Sequence, residues 1–240
     1  MENEFRPLSP DDTFRFSCNR KVACFNECCR DLNQFLTPYD ILRLKTGLAL
    51  TATEFLGQYT TRHTGPETGL PIIALKPVTA SGLACPFVTP SGCSVYEHRP
   101  SSCRIYPIAR AISRSRETGL IGEHFALLKE PHCLGHQQKK TQTVREWVSD
   151  QELDIYNEFN DMLMEIIALK NRRGSDPLDI KLQLQFHTAL YDLDRFRIQV
   201  FDKGLLDDFN LEAGLLNRAR KDDPALLRIG HAWVKQTMYR

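Results

Sequence analysis

No stretch of this 240-residue chain approaches the ~18 consecutive apolar residues of a membrane-spanning helix, so a helical span is not expected. The opening residues, MENEFRPLSPDD, mix charges with prolines and lack the apolar run of an export signal, which predicts a cytoplasmic protein. Charge of one sign is also missing. With 31 Lys+Arg against 30 Asp+Glu the formal charge is +1, so no global field draws the chain to nucleic acid, to an anionic membrane or to acidic substrates. The small basic stripe Arg110, Arg114 and Arg116 reads as a solvated face, and the C-x2-4-C…H-x3-5-H spacing of a zinc finger is absent. GxGxxG, P-loop, HExxH and GxSxG motifs are absent too, which leaves nucleotide-dependent, metalloprotease and hydrolase chemistry without support. Neither an internal repeat nor a low-complexity tract interrupts the chain.

Cysteine is missing from one half only. Residues 134–240 contain none, whereas all eight, Cys18, Cys24, Cys28, Cys29, Cys85, Cys93, Cys103 and Cys133, precede them. Thiols used merely as small buried hydrophobes would be scattered through both halves. In a reducing cytosol a disulfide framework is not expected, so metal ligation becomes the leading explanation. Eight thiols in two fours would fill two tetrahedral zinc sites, two cubane-type clusters, or one of each.

Composition, 42% hydrophobic and 25% charged, allows a core in one domain or in one domain with an appendage. The fold class expected is α+β: an irregular cysteine-bearing region with short strands and helices over 1–140, followed by an all-helical C-terminal cap over 141–240. Leu36-Thr37-Pro38-Tyr39-Asp40-Ile41 predicts a helix start with Thr37 as N-cap, ended near Gly47, and Thr51 with Glu54 predicts a second start through a capping box. Residues 61–70 read as loop and 71–77 as a short strand. The turn-rich stretch 79–103, with Ser94-Val95-Tyr96 as a strand-like piece, has little core of its own and three cysteines inside it. Beyond Cys133, helical spacing predicts three amphipathic helices: one from Val144 to about Gly174, one from Leu182 to about Gly204, and one from Asp223-Pro224. Their aromatic stripes are expected to be packing surface.

Cys24 and Cys28 stand four apart, so on a helical turn they would share a face, while Cys29 would point elsewhere. The vicinal pair therefore suits two different partners better than one atom: it could sit between two metal positions, or one sulfur could ligate while the other tunes it. A vicinal disulfide is the alternative. Lys21, Arg30, Arg99 and Arg104 could offset the charge of a thiolate-bound centre. His132 and His136 could each replace a cysteine as ligand. Tyr96, Glu97 and Arg99 read as a clasp, with Arg99 reaching a carboxylate or main-chain carbonyls; Glu97 is a weaker candidate for catalysis.

The run Cys18 through Cys29, Cys85-Pro86-Phe87, Cys93-Ser94-Val95-Tyr96-Glu97 with Arg99-Pro100, Cys103-Arg104 and the late Cys133 together resemble the YkgJ-type cysteine-cluster family, described as zinc- or iron-chelating. The likeness covers roughly residues 14–136, and Thr143–Trp147 and Tyr191–Arg197 resemble the longer bacterial members. The usual opening C-x2-C-x2-C-C is here Cys18-x5-Cys24-x3-Cys28-Cys29. The resemblance implies an iron–sulfur centre, 4Fe-4S in kind, with zinc as the alternative, and a redox or electron-transfer role. Alternatives are a zinc-stabilised interaction protein and an iron–sulfur enzyme modifying a protein substrate, since a flagellin lysine methylase is similar in its cysteine region. No methyl-donor motif accompanies it. A protein partner or substrate is expected, with no membrane role.

Overall fold

The computed structural model describes residues 4–30, 33–115, 118, 121–174, 176–207, 209 and 211–238. In chain order its strands are β1 (Glu4–Leu8), β2 (Thr13–Arg15), β3 (Phe35–Leu36), β4 (Thr60–Thr64), β5 (Pro71–Leu75), β6 (Val88–Thr89), β7 (Gly92–Cys93), β8 (Ile108–Arg114), β9 (Ile121–Lys129) and β10 (Thr141–Thr143). The α-helices are α1 (Pro38–Gly47), α2 (Ala52–Tyr59), α3 (Ser101–Ile105), α4 (Val144–Asp150), α5 (Asp154–Asn171), α6 (Ile180–Leu190), α7 (Leu193–Phe201), α8 (Ala213–Ala219) and α9 (Asp223–Thr237). The architecture is α+β, and among the described residues no helix is long and apolar enough to cross a membrane.

Two compact units interleave along the chain: residues 1–32 with 77–157, and residues 33–76 with 158–240. In place of a single cut at 140, the N-terminal segment 33–76 groups with the C-terminal helices. All eight cysteines fall in the first unit.

The first unit is built on the antiparallel sheet β1-β9-β8 and the ladder β10-β2. Phe14, Phe16, Ile108, Phe125, Leu127 and Val144 bury one core, against which Tyr106, Cys133 and Trp147 pack. Phe16 meets the Trp147 and Tyr106 rings edge-on at 5.7 and 5.9 Å, and the Trp147 indole N–H donates to Ile105 O at 2.9 Å. Helix α4 opens with a capping box: Glu146 N–H donates to Thr143 Oγ1 at 3.1 Å and Thr143 N–H to Glu146 Oε2 at 2.7 Å.

In the second unit α1 and α2 begin where the sequence places them. Asp40 Oδ2 accepts from Thr37 N–H at 2.9 Å, and Thr51 and Glu54 exchange bonds of 3.2 and 2.8 Å. Strand β5 ends at Leu75, and residues 60–64 form β4 against it where a loop was expected: Thr60 pairs with Leu75 and Thr64 with Pro71, so threonines suited to a pleated surface close a hairpin. The three expected C-terminal helices are five, with α8 a sixth: Glu152 at φ 51 breaks the first run before α5, and Asp192 caps α7 by accepting from Arg195 N–H, breaking the second. The aromatic stripes are packing surface: Phe159, Phe186 and Phe196 are buried, and Phe159 stacks on Tyr39 at 4.8 Å. Ser94-Val95-Tyr96 is not a strand. The pairing stops at Cys93, and Tyr96–His98 turns as a short 3-10 helix.

Candidate metal centre

The first cysteine group lies on turns, not on an α-helix. Asn26 takes φ 71, which an α-helix does not allow, and only Glu27–Cys29 close a 3-10 turn. Cys24 and Cys28 therefore do not share a helical face as the spacing predicts. Two hydrogen bonds, one from a side-chain amide and one wholly main-chain, fix this loop. Asn26 Nδ2 donates to Thr89 O at 2.9 Å, and Cys85 N–H donates to Cys29 O at 2.8 Å, so the loop is tied to the β6-β7 hairpin carrying Cys93. On its other side Leu134 N–H donates to Cys24 Sγ at 3.1 Å, and Ser17 N–H, one residue before Cys18, donates to Gly135 O at 3.2 Å. Hydrogen bonds from main-chain N–H groups thus tie Cys24 to Leu134, 110 residues away, and Cys29 to Cys85.

None of the eight cysteines is in a disulfide, and the sulfurs of Cys28 and Cys29 stand 4.0 Å apart. A hydrogen bond from Cys29 pulls the Cys28 thiol down to about 7, and the same bond, with burial and the neighbouring Cys28, Cys85 and Cys103 sulfurs, pushes Cys29 up. Cys18, although exposed as a residue, loses enough water at its thiol to rise to about 11, with Cys28, Cys24 and Cys133 adding to the effect. Burial likewise raises Cys85, which has Cys93 and Cys28 beside it, and Cys93, which Cys28 raises and Arg99 lowers. Cys133 is raised by burial first and also by Cys24. A cation ligated by these sulfurs would reverse that cost, because it stabilises the thiolate.

Among the described residues no three His, Cys, Asp or Glu side chains already form a closed ligand set. What fits a metal is the donor chemistry. All eight soft ligands are in one unit, and an N–H is already aimed at one sulfur. The buried Tyr106 hydroxyl has no partner of good geometry, and burial together with Cys133 and Glu130 beside it holds it un-ionised.

Of the four cations read from the sequence, Arg99 has thiols beside it, Cys93 and Cys103. It stacks over Tyr96 at 3.8 Å and donates to Tyr96 O at 2.5 Å and to Gln151 Oε1. The clasp thus closes on the Tyr96 carbonyl, one of the two kinds of partner expected, and on the Gln151 amide. Arg104, 2% exposed, completes it: Nη1 donates to Gln151 O at 2.8 Å and Nη2 to Glu97 O at 2.5 Å. Arg30 pairs with Glu27 at 3.1 Å on the surface. His132 lies 3.6 Å from Glu130, and the His136 ring packs against Phe16 at 5.4 Å. Arg110 pairs with Glu123 at 2.6 Å, and Arg116 lies outside the described residues. The sequence reading missed Gln151, Leu134 and Tyr106. A polar residue just after a helix such as Gln151 carries no motif, and a main-chain N–H carries no signal at all.

No curated protein and no solved structure matches the chain significantly. Residues 17–144, more than half of the chain and all eight of its cysteines, match the family model CxxCxxCC, described as "Putative zinc- or iron-chelating domain", and the chain belongs to that family.

Proposed function

We propose that this is a cytoplasmic metal-binding protein whose eight cysteines hold one or two centres, iron–sulfur in kind, with a redox or electron-transfer role. The observation that carries the reading is the gathering of eight cysteines, none in a disulfide, into one folded unit. Cys18, Cys24, Cys28, Cys29, Cys85, Cys93, Cys103 and Cys133 would be the ligands. An iron–sulfur centre, when bound, supplies one-electron transfer. The chain's own residues supply the setting: Leu134 N–H donates to the Cys24 sulfur at 3.1 Å, and Arg99 places positive charge beside Cys93 and Cys103. Such donors and charges favour the thiolate form and tune a sulfur-ligated centre.

Zinc as a structural staple is the second reading. It is favoured by the two-residue strands of the 79–103 segment, which bury little between them. Anaerobic purification followed by metal and acid-labile sulfide analysis separates the two. A brown protein with iron, sulfide and a dithionite-reversible absorbance supports the proposal. A colourless protein with stoichiometric zinc overturns it in favour of the staple, and one with no metal overturns both.

A further inference from the structure

Adjacent residues on a 3-10 turn project about 120° apart, so the neighbours Cys28 and Cys29 are expected to face different ways. The fold brings their sulfurs together instead: the two Sγ atoms stand 4.0 Å apart. The main chain beneath the pair is held from both sides. Cys29 N–H donates to Asn26 O at 3.0 Å and Arg30 N–H to Glu27 O at 3.1 Å, which closes the turn. Asn26 Nδ2 donates to Thr89 O at 2.9 Å and Cys85 N–H to Cys29 O at 2.8 Å, which ties the turn to the β6-β7 hairpin and the segment leading into it. The convergence of the sulfurs is therefore built on an anchored backbone.

A tetrahedral ion with thiolates at ~2.3 Å holds its sulfurs ~3.8 Å from one another. The separation of Cys28 and Cys29 meets that spacing with only a small side-chain adjustment. Four thiolates over the four irons of a cubane place one sulfur on each corner, so those sulfurs diverge, whereas four over two irons place two on each. Resting on the metal-binding reading above, we propose that Cys28 and Cys29 both ligate one and the same metal ion, as a chelating pair that suits a single-ion site or a two-iron centre and not a cubane. On binding, both thiols release their protons to water and two metal–sulfur bonds form in place of the thiol–thiol contact. The charge of the ion offsets the repulsion between adjacent thiolates. Because the turn is fixed beforehand, little ordering remains to oppose the grip.

The probe is an NMR-active cadmium isotope, loaded anaerobically into the full-length chain. In a cadmium–proton correlation spectrum of the wild-type protein, one cadmium resonance should couple to the β-protons of both Cys28 and Cys29. This measurement needs no variant and stands even where a substitution prevents folding. Cys28→Ser and Cys29→Ser, with circular dichroism to confirm their folding, should each shift that same resonance upfield as oxygen replaces sulfur, and leave any other cadmium resonance in place. Coupling of the two residues to different cadmium resonances, or a folded serine variant that leaves the shared resonance where it was, overturns the chelate while leaving metal binding intact. A wild-type chain that is isolated without metal and takes up no cadmium overturns the underlying reading instead.

Discussion

Replacing Gly135 with alanine tests whether packing in the first unit holds Cys133 in place. Its backbone is not in the left-handed region, so alanine meets no conformational penalty there. The obstacle is space. A Cβ at this position would stand 2.4 Å from Phe16 Cε2 and 2.9 Å from Cδ2, so roughly 1 Å of displacement is needed to restore ordinary contact. Phe16 cannot readily recede, being 3% exposed and packed edge-on against Trp147 and Tyr106. Overpacking of this kind costs about 1–3 kcal/mol. If the loop lifts instead, the 3.2 Å bond from Ser17 N–H to Gly135 O is weakened, at about 1 kcal/mol. We therefore expect Gly135→Ala to lose about 2–3 kcal/mol in urea denaturation, followed by near-ultraviolet circular dichroism, and to lose the metal that depends on Cys133. Phe16→Leu in the same chain reopens the space, so the double variant should be destabilised by less than the two single changes combined. A Gly135→Ala protein as stable as wild type, or strict additivity in the double variant, would refute the reasoning.

The remaining predictions concern single buried side chains. His231 is buried in α9 with Nδ1–H donating to Leu227 O at 2.9 Å, and burial lowers its pKa from 6.5 to about 4. Because the folded state disfavours its protonation, its contribution is complete above about pH 6.5 and is lost as pH falls towards 4, a drop of about 3 kcal/mol. Denaturation midpoints of His231→Gln should show a shallower fall across that window, and an unchanged slope would count against the assignment. Arg104→Met should cost about 3 kcal/mol, since it strips charge-assisted donors from the carbonyls of Gln151 and Glu97. Arg104→Lys should recover only part of that, measured by the same denaturation, because an ammonium cannot span both carbonyls as a guanidinium does; full recovery by lysine would sink the bidentate account.

Local chemistry was legible in the sequence where it acts locally. The starts of α1 and α2 follow from Thr37-Pro38 with Asp40 and from Thr51 with Glu54, because a cap is satisfied within one turn. Strands β8 and β9 carry no comparable signal. Along Ile121–Lys129 the first four residues are exposed, so alternation is blurred, and the pairing of Ile108 with Leu127 is made across a connection whose length the residues do not announce. The same contrast governs the site. That the cysteines act together could be read from their confinement to the first 133 residues. How they are brought together could not, because the donors that reach Cys29 O and Cys24 Sγ, the N–H groups of Cys85 and Leu134, are main-chain groups that carry no residue signature.

The interleaving of the two units has a consequence for biosynthesis. A ribosome delivers Cys18 to Cys29 first, then a stretch, 33–76, that groups with helices beginning only at Glu158. The four nascent thiols must therefore wait for Cys85 to Cys103, and Cys24 for the Cys133 segment, to leave the exit tunnel. The cysteine-bearing unit is fully translated by Asn157, while the intervening segment still lacks the helices it groups with, so the order of maturation is written into the order of the message.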